Sequence, residues 1–146
     1  MDGFNKQVWA LALLGACYTS TPAAGPGEPV QLIVSASKEK QCKGRLLPGK
    51  YEERQDLAAA FPEAQFVYQG PFAAASDGLM YQTCQITVRR EQFLRKFSYC
   101  AVALVAESGC GLSFTARGGR EVEFWAESEG RKSAEPAVCS FVCMPR

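Results

Sequence analysis

Seven cysteines stand in a chain of 146 residues: Cys17, Cys42, Cys84, Cys100, Cys110, Cys139 and Cys143. That density in so short a chain reads as a disulfide framework closed in an oxidising compartment, because cytosolic thiols are held reduced. Cys17 sits at the end of an apolar leader. The other six are therefore expected to form three bridges inside the folded domain, with about 15 connectivities open to them. Each bridge contributes about 2–4 kcal/mol, mainly by restricting the unfolded chain, so three rival the net stability of an ordinary domain. Cys139 and Cys143 lie four residues apart. On one strand face their Cα atoms exceed the roughly 7 Å that a disulfide spans, so each is expected to bond a different partner. A metal site built on the same two thiols lacks the second close cysteine pair that zinc sites use, and no metal or cofactor is expected.

Residues 8–16, Val-Trp-Ala-Leu-Ala-Leu-Leu-Gly-Ala, form an unbroken run of apolar or small residues. The run is far shorter than the roughly 20 residues of a membrane helix but matches the roughly 7–15 of an export-signal core. A buried N-terminal helix is the alternative, since Lys6 is the one cation ahead of the run. Leu14-Gly15-Ala16-Cys17 resembles the lipobox of bacterial lipoproteins, which implies a lipidated Cys17 at the start of the mature chain. The Pro-, Gly- and Thr-containing tract that follows has the composition of a flexible tether. The expected organisation is an export signal of secretory or lipoprotein type at 1–17, a tether at 18–29 and one disulfide-stabilised domain at 30–146. The protein is expected to be extracellular or, alternatively, lipid-anchored in a bacterial envelope. Membrane attachment is expected only if Cys17 is lipidated.

Within the domain the patterning is mostly β. Residues 30–36 are a short β-branched run behind Pro29, and residues 79–88 alternate so that Cys84, Ile86 and Val88 share one face. Residues 97–106 are apolar on both parities, the pattern of a central strand, with a buried helix as the alternative that its alanines leave open. Residues 111–127 predict a hairpin about Gly118-Gly119, which can take the positive φ of a tight turn. In residues 137–143, Cys139, Phe141 and Cys143 fall on one face. Residues 65–69 predict a brief strand broken by Gly70-Pro71, and residues 49–61 carry helix formers up to Pro62. The fold class that follows is α+β, a small disulfide-stapled domain of mainly antiparallel sheet with one helix near 50–61.

The chain contains no histidine, which removes the usual general base near neutral pH and the commonest metal ligand. No recognisable catalytic motif replaces it, so a binding role is expected rather than an enzymatic one. The formal charge of +1 is too small to draw a polyanion over long range, and no nucleic-acid partner is expected. Two local features point to binding. Arg89, Arg90, Arg95 and Lys96 concentrate positive charge around Phe93 and Phe97, which is either a surface able to grip anionic groups or an ordinary solvated turn or short helix whose aromatics face the core. Trp125 lies among Glu121, Glu123, Glu127 and Glu129, on the strand face opposite Val122 and Phe124, where it would be an exposed aromatic of hot-spot type or a residue packed near 61–72. Small secreted proteins of eukaryotes, fungal effectors among them, are often this rich in cysteine. The expected function is that of a secreted binding protein of the effector or inhibitor kind, acting on a protein or glycan partner outside the cytoplasm. An envelope lipoprotein anchored through Cys17 is the alternative, and a small secreted hydrolase using the glutamates is the second.

Overall fold

The alternation expected for residues 30–36 produces β1 (Val30–Ala36), which buries Leu32, Val34 and Ala36 on one face. The computed structural model describes residues 27–37, 39–48, 54–73, 78–104, 109–130 and 136–146. The expected export signal with Cys17, and the tether as far as residue 26, lie outside them. β1 pairs antiparallel with β2 (Cys42–Leu47) on one side and with β9 (Ala137–Pro145) on the other. With β3 (Gln55–Asp56) beyond β2 and β6 (Phe97–Leu104) beyond β9, they form a five-stranded sheet in the order β3-β2-β1-β9-β6. The second sheet runs β4 (Gln65–Ala73), β5 (Met80–Arg89), β8 (Glu121–Gly130), β7 (Gly109–Thr115). The domain is thus α+β, mostly antiparallel sheet, with its core between two sheets.

The inner faces supply that core. Leu32, Val34, Leu46 and Phe141 from the first sheet meet Ile86, Val88, Val122 and Phe124 from the second, all buried. Burying side chains of this size is worth about 1.5–3 kcal/mol each, which sets the two sheets face to face. Two disulfides cross the gap: Cys42–Cys84 joins β2 to β5, and Cys110–Cys139 joins β7 to β9. The third, Cys100–Cys143, joins neighbouring strands β6 and β9 with Cα atoms 4.0 Å apart. Cys139 and Cys143 therefore bond different partners, as their spacing requires. The thiols that a metal site would have needed are all in bridges.

Four elements depart from expectation. The helix expected near 50–61 is one turn, α1 (Leu57–Ala60), preceded by the two-residue β3; residues 49–53 lie outside the described part. β2 had no counterpart in the sequence reading, because Lys43, Gly44 and Arg45 give it little β character. Gly44 is required there: a Cβ would stand 2.8 Å from both Ile86 Cδ1 and Leu57 Cδ2. β4 does not stop at Gly70-Pro71 but runs through it, shifting register between Gln69 and Phe72. An edge strand tolerates a proline because one side of its backbone has no ladder to complete. β6 is not central but lies at the margin of its sheet.

One polar network is built into the core. Gln82 falls on the inward parity of β5 and is buried, where the Tyr68 hydroxyl donates to its Oε1 at 2.9 Å. Its Nε2 donates to Ser128 Oγ at 3.3 Å. The amide is thereby satisfied on both ends, which makes its burial tolerable.

Candidate functional site

The expected basic run begins where β5 ends. Arg89 closes the strand, and α2 (Arg90–Lys96) turns the chain across the open end of the sandwich. Phe93, buried, fixes which face of α2 is solvated: its ring lies 5.4 Å from Phe97, 5.8 Å from Phe114, 5.9 Å from Phe124 and 6.3 Å from Phe61. The aromatics interleaved with the charges are therefore core residues. Arg90, Glu91 and Arg95 remain exposed.

Opposite α2 stands the turn of the expected hairpin. Between β7 and β8 the chain makes a helical turn, Ala116–Gly119, broken by left-handed Arg117 (φ 48°), Gly118 (φ 70°) and Gly119 (φ 81°). The Arg90 amide donates to the Arg120 carbonyl at 2.9 Å, and Arg90 Nη1 donates to the Gly119 carbonyl at 3.4 Å. These bonds clamp the turn against the start of α2. The result is a cleft of about 580 Å³ with Arg89, Arg90 and Arg120 on its walls, together with Leu94, Glu91 and Glu121.

The charges in and around the cleft are unevenly compensated. Arg89 Nε lies 3.1 Å from Glu63 Oε2, which also accepts from Gln92 Nε2 at 3.0 Å. Glu121 Oε2 lies 3.2 Å from Arg117 Nε. The contact with Arg117 is an ionic approach without hydrogen-bond alignment, so it neutralises the carboxylate while leaving its oxygen an acceptor to spare. Arg120 pairs with no carboxylate among the described residues. An exposed guanidinium, planar with five donors, suits bidentate capture of a carboxylate, phosphate or sulfate group.

The candidate residues separate accordingly. Arg89 and Arg90 meet in the cleft, whereas Arg95 and Lys96 do not line it. Lys96 Nζ sits 5.9 Å above the Phe61 ring. Arg120 was not singled out in the sequence. No local pattern marks it, and only the β5–β8 pairing, with Arg89 opposite Glu121, brings it beside residue 90. Trp125 stands on the outer face of the second sheet, half-buried, its indole laid over Gly111 of β7 so closely that a Cβ there would fall 1.7 Å from Cζ2. It packs neither on Phe61 nor in the cleft. Glu123 and Glu127 flank it on β8, opposite Thr87 and Thr83. On the outer face of the first sheet a recess of about 310 Å³ combines Lys43, Arg45 and Arg54 with Ile33, Leu47 and Val138.

Among the described residues no group of three His, Cys, Asp or Glu side chains is placed to hold a metal ion, and no helix is long and apolar enough to cross a membrane. Three disulfides are the mark of a chain that folds in an oxidising compartment. Compared with known proteins, the chain matches no family model, no curated protein and no solved structure.

Proposed function

We propose that this chain is an exported binding protein of the effector or inhibitor kind, which acts on a protein or glycan outside the cytoplasm and grips an anionic group of that partner in the arginine cleft. The observation that carries the reading is the convergence of Arg89, Arg90 and Arg120 on one open cleft, with Arg120 unpaired among the described residues. A rigid, cross-linked sandwich suits recognition, because the binding groups are held before the partner arrives and little ordering cost remains. The test is binding of the oxidised protein to an immobilised sulfated glycan and to its desulfated form, at rising salt. Arg120→Glu is expected to weaken binding about tenfold, the size of one lost charge-assisted hydrogen bond, and Arg95→Glu far less. Equal losses in the two variants, or equal binding to the desulfated glycan, would remove the cleft from the reading.

A second reading is favoured by the pairing of the cysteines. The three bridges take up the six cysteines after residue 17, which supports a reading in which Cys17 carries a lipid. A lipid-anchored envelope protein would present the same cleft at the end of its tether.

A further inference from the structure

Strand parity builds the outer face of the second sheet. Ile86, Val88, Val122 and Phe124 are buried in the core, so the residues between them face outward. On that face Trp125 stands between Glu123 and Glu127 along β8. Register sets Gln85 of β5 beside the tryptophan, and Thr87 and Thr83 beside the two glutamates. The half-buried indole rests over Gly111 of β7, which has no side chain to displace it.

The face is acidic and uncompensated. Glu123, Glu127 and Glu129 pair with no cation among the described residues. Arg89, at the end of β5, is the one Lys or Arg in β4, β5, β7 and β8, and it lies against Glu63. An acceptor is also spare at the floor of the face. Thr87 is only 8% exposed, set between Gln65 and Glu123, and its hydroxyl has no hydrogen-bond partner among the described residues. Withdrawing a hydroxyl from water without a partner is destabilising, and a donor arriving over it removes that cost.

We infer that this face binds a guanidinium group, the arginine side chain of a partner protein, stacked on the Trp125 indole with its N–H groups on the Glu123 carboxylate and the Thr87 hydroxyl. Charge, shape and donor pattern each select that chemistry. Three unpaired carboxylates attract a cation and repel the anionic groups that suit the arginine cleft. A guanidinium is planar and weakly hydrated, so it stacks on an aromatic ring where a compact, strongly hydrated ammonium is held less well. It carries five donors and no acceptor, and what surrounds the indole supplies acceptors: the Glu123 carboxylate, the Thr87 hydroxyl and the Gln85 amide oxygen. A neutral sugar would leave the carboxylate charge unmatched. None of the arginines of the cleft takes part, so the two sites stand or fall separately.

Titration of the isotope-labelled, oxidised protein with a blocked peptide holding one arginine tests the proposal by nuclear magnetic resonance, which reads weak binding residue by residue. The indole N–H of Trp125 and the amides of Thr87 and Glu123 are expected to shift together. The citrulline peptide, equal in shape but uncharged, is expected to bind about tenfold more weakly, and the lysine peptide more weakly than the arginine one. Glu123→Gln should weaken binding about tenfold, and Trp125→Leu about threefold. Glu28→Gln removes an exposed carboxylate before β1 and should change nothing. Glu123→Gln keeps the shape of the side chain, so the test survives a Trp125 variant that folds poorly. Absent shifts, equal binding of the citrulline or lysine peptide, or an equal loss in Glu28→Gln, the mark of diffuse attraction, would each overturn the proposal. A neutral oligosaccharide that moves these signals where the arginine peptide does not would assign the face to another ligand and overturn it equally.

Discussion

Gly111 and Trp125 show what one residue decides here. The indole rests where a side chain at 111 would stand, so Gly111→Ala must swing the ring off the sheet. Trp125 is the one tryptophan among the described residues, so the change in emission on substitution at Gly111 reports on it. The variant is expected to shift emission to the red and to lose about 1–3 kcal/mol, as overpacking does, measured by denaturant unfolding. Combining it with Trp125→Thr should recover most of that loss. Gly44→Ala meets Ile86 and Leu57 instead, both buried and unable to swing into solvent, so its cost should not be relieved by any surface change. Neither glycine was legible as a contact in the sequence, because what each touches lies on another strand. Trp125 was correctly read as facing away from Val122 and Phe124, since strand parity is local.

At the scale of elements, α2 and the β7–β8 turn make one unit. Phe93→Ala removes the ring around which Phe61, Phe97, Phe114 and Phe124 gather. The expected loss is about 3–5 kcal/mol, the usual cost of a cavity of that size. Gly118 is different, for a Cβ there meets nothing within 4 Å. Gly118→Ala therefore isolates the backbone cost of φ 70°, about 1–2 kcal/mol. Because the turn is bonded to Arg90 through the carbonyls of Gly119 and Arg120, the same variant should also weaken glycan binding in the assay above. The hairpin was legible, since its signals are the period of two and a pair of glycines. The helix at 49–61 was read as longer than the described turn because helix propensity is a weak prior that sheet pairing overrides at Gln55–Asp56.

At the scale of the whole molecule, the bridges close loops of 42, 43 and 29 residues. In the chain-entropy account each is worth about 4 kcal/mol, so reduction of all three should unfold the protein at room temperature, with loss of near-ultraviolet dichroism. Intact mass of the natively produced protein, with and without alkylation, is expected to show six cysteines resistant until reduced. Added lipid mass on Cys17 would identify the anchored form, and a leaderless chain without it the free one. Sequence alone determined that the chain would be a β-rich, disulfide-stapled domain, and that Cys139 and Cys143 would take different partners. Alternation, cysteine number and strand geometry are local properties of the chain. Tertiary structure alone decided which cysteines meet, that Arg120 joins Arg89 and Arg90, and that the apolar strand 97–104 lies at an edge. Each of those depends on pairing between segments tens of residues apart, and the energy of such pairing comes from surfaces that exist only after the two sheets have closed on one another.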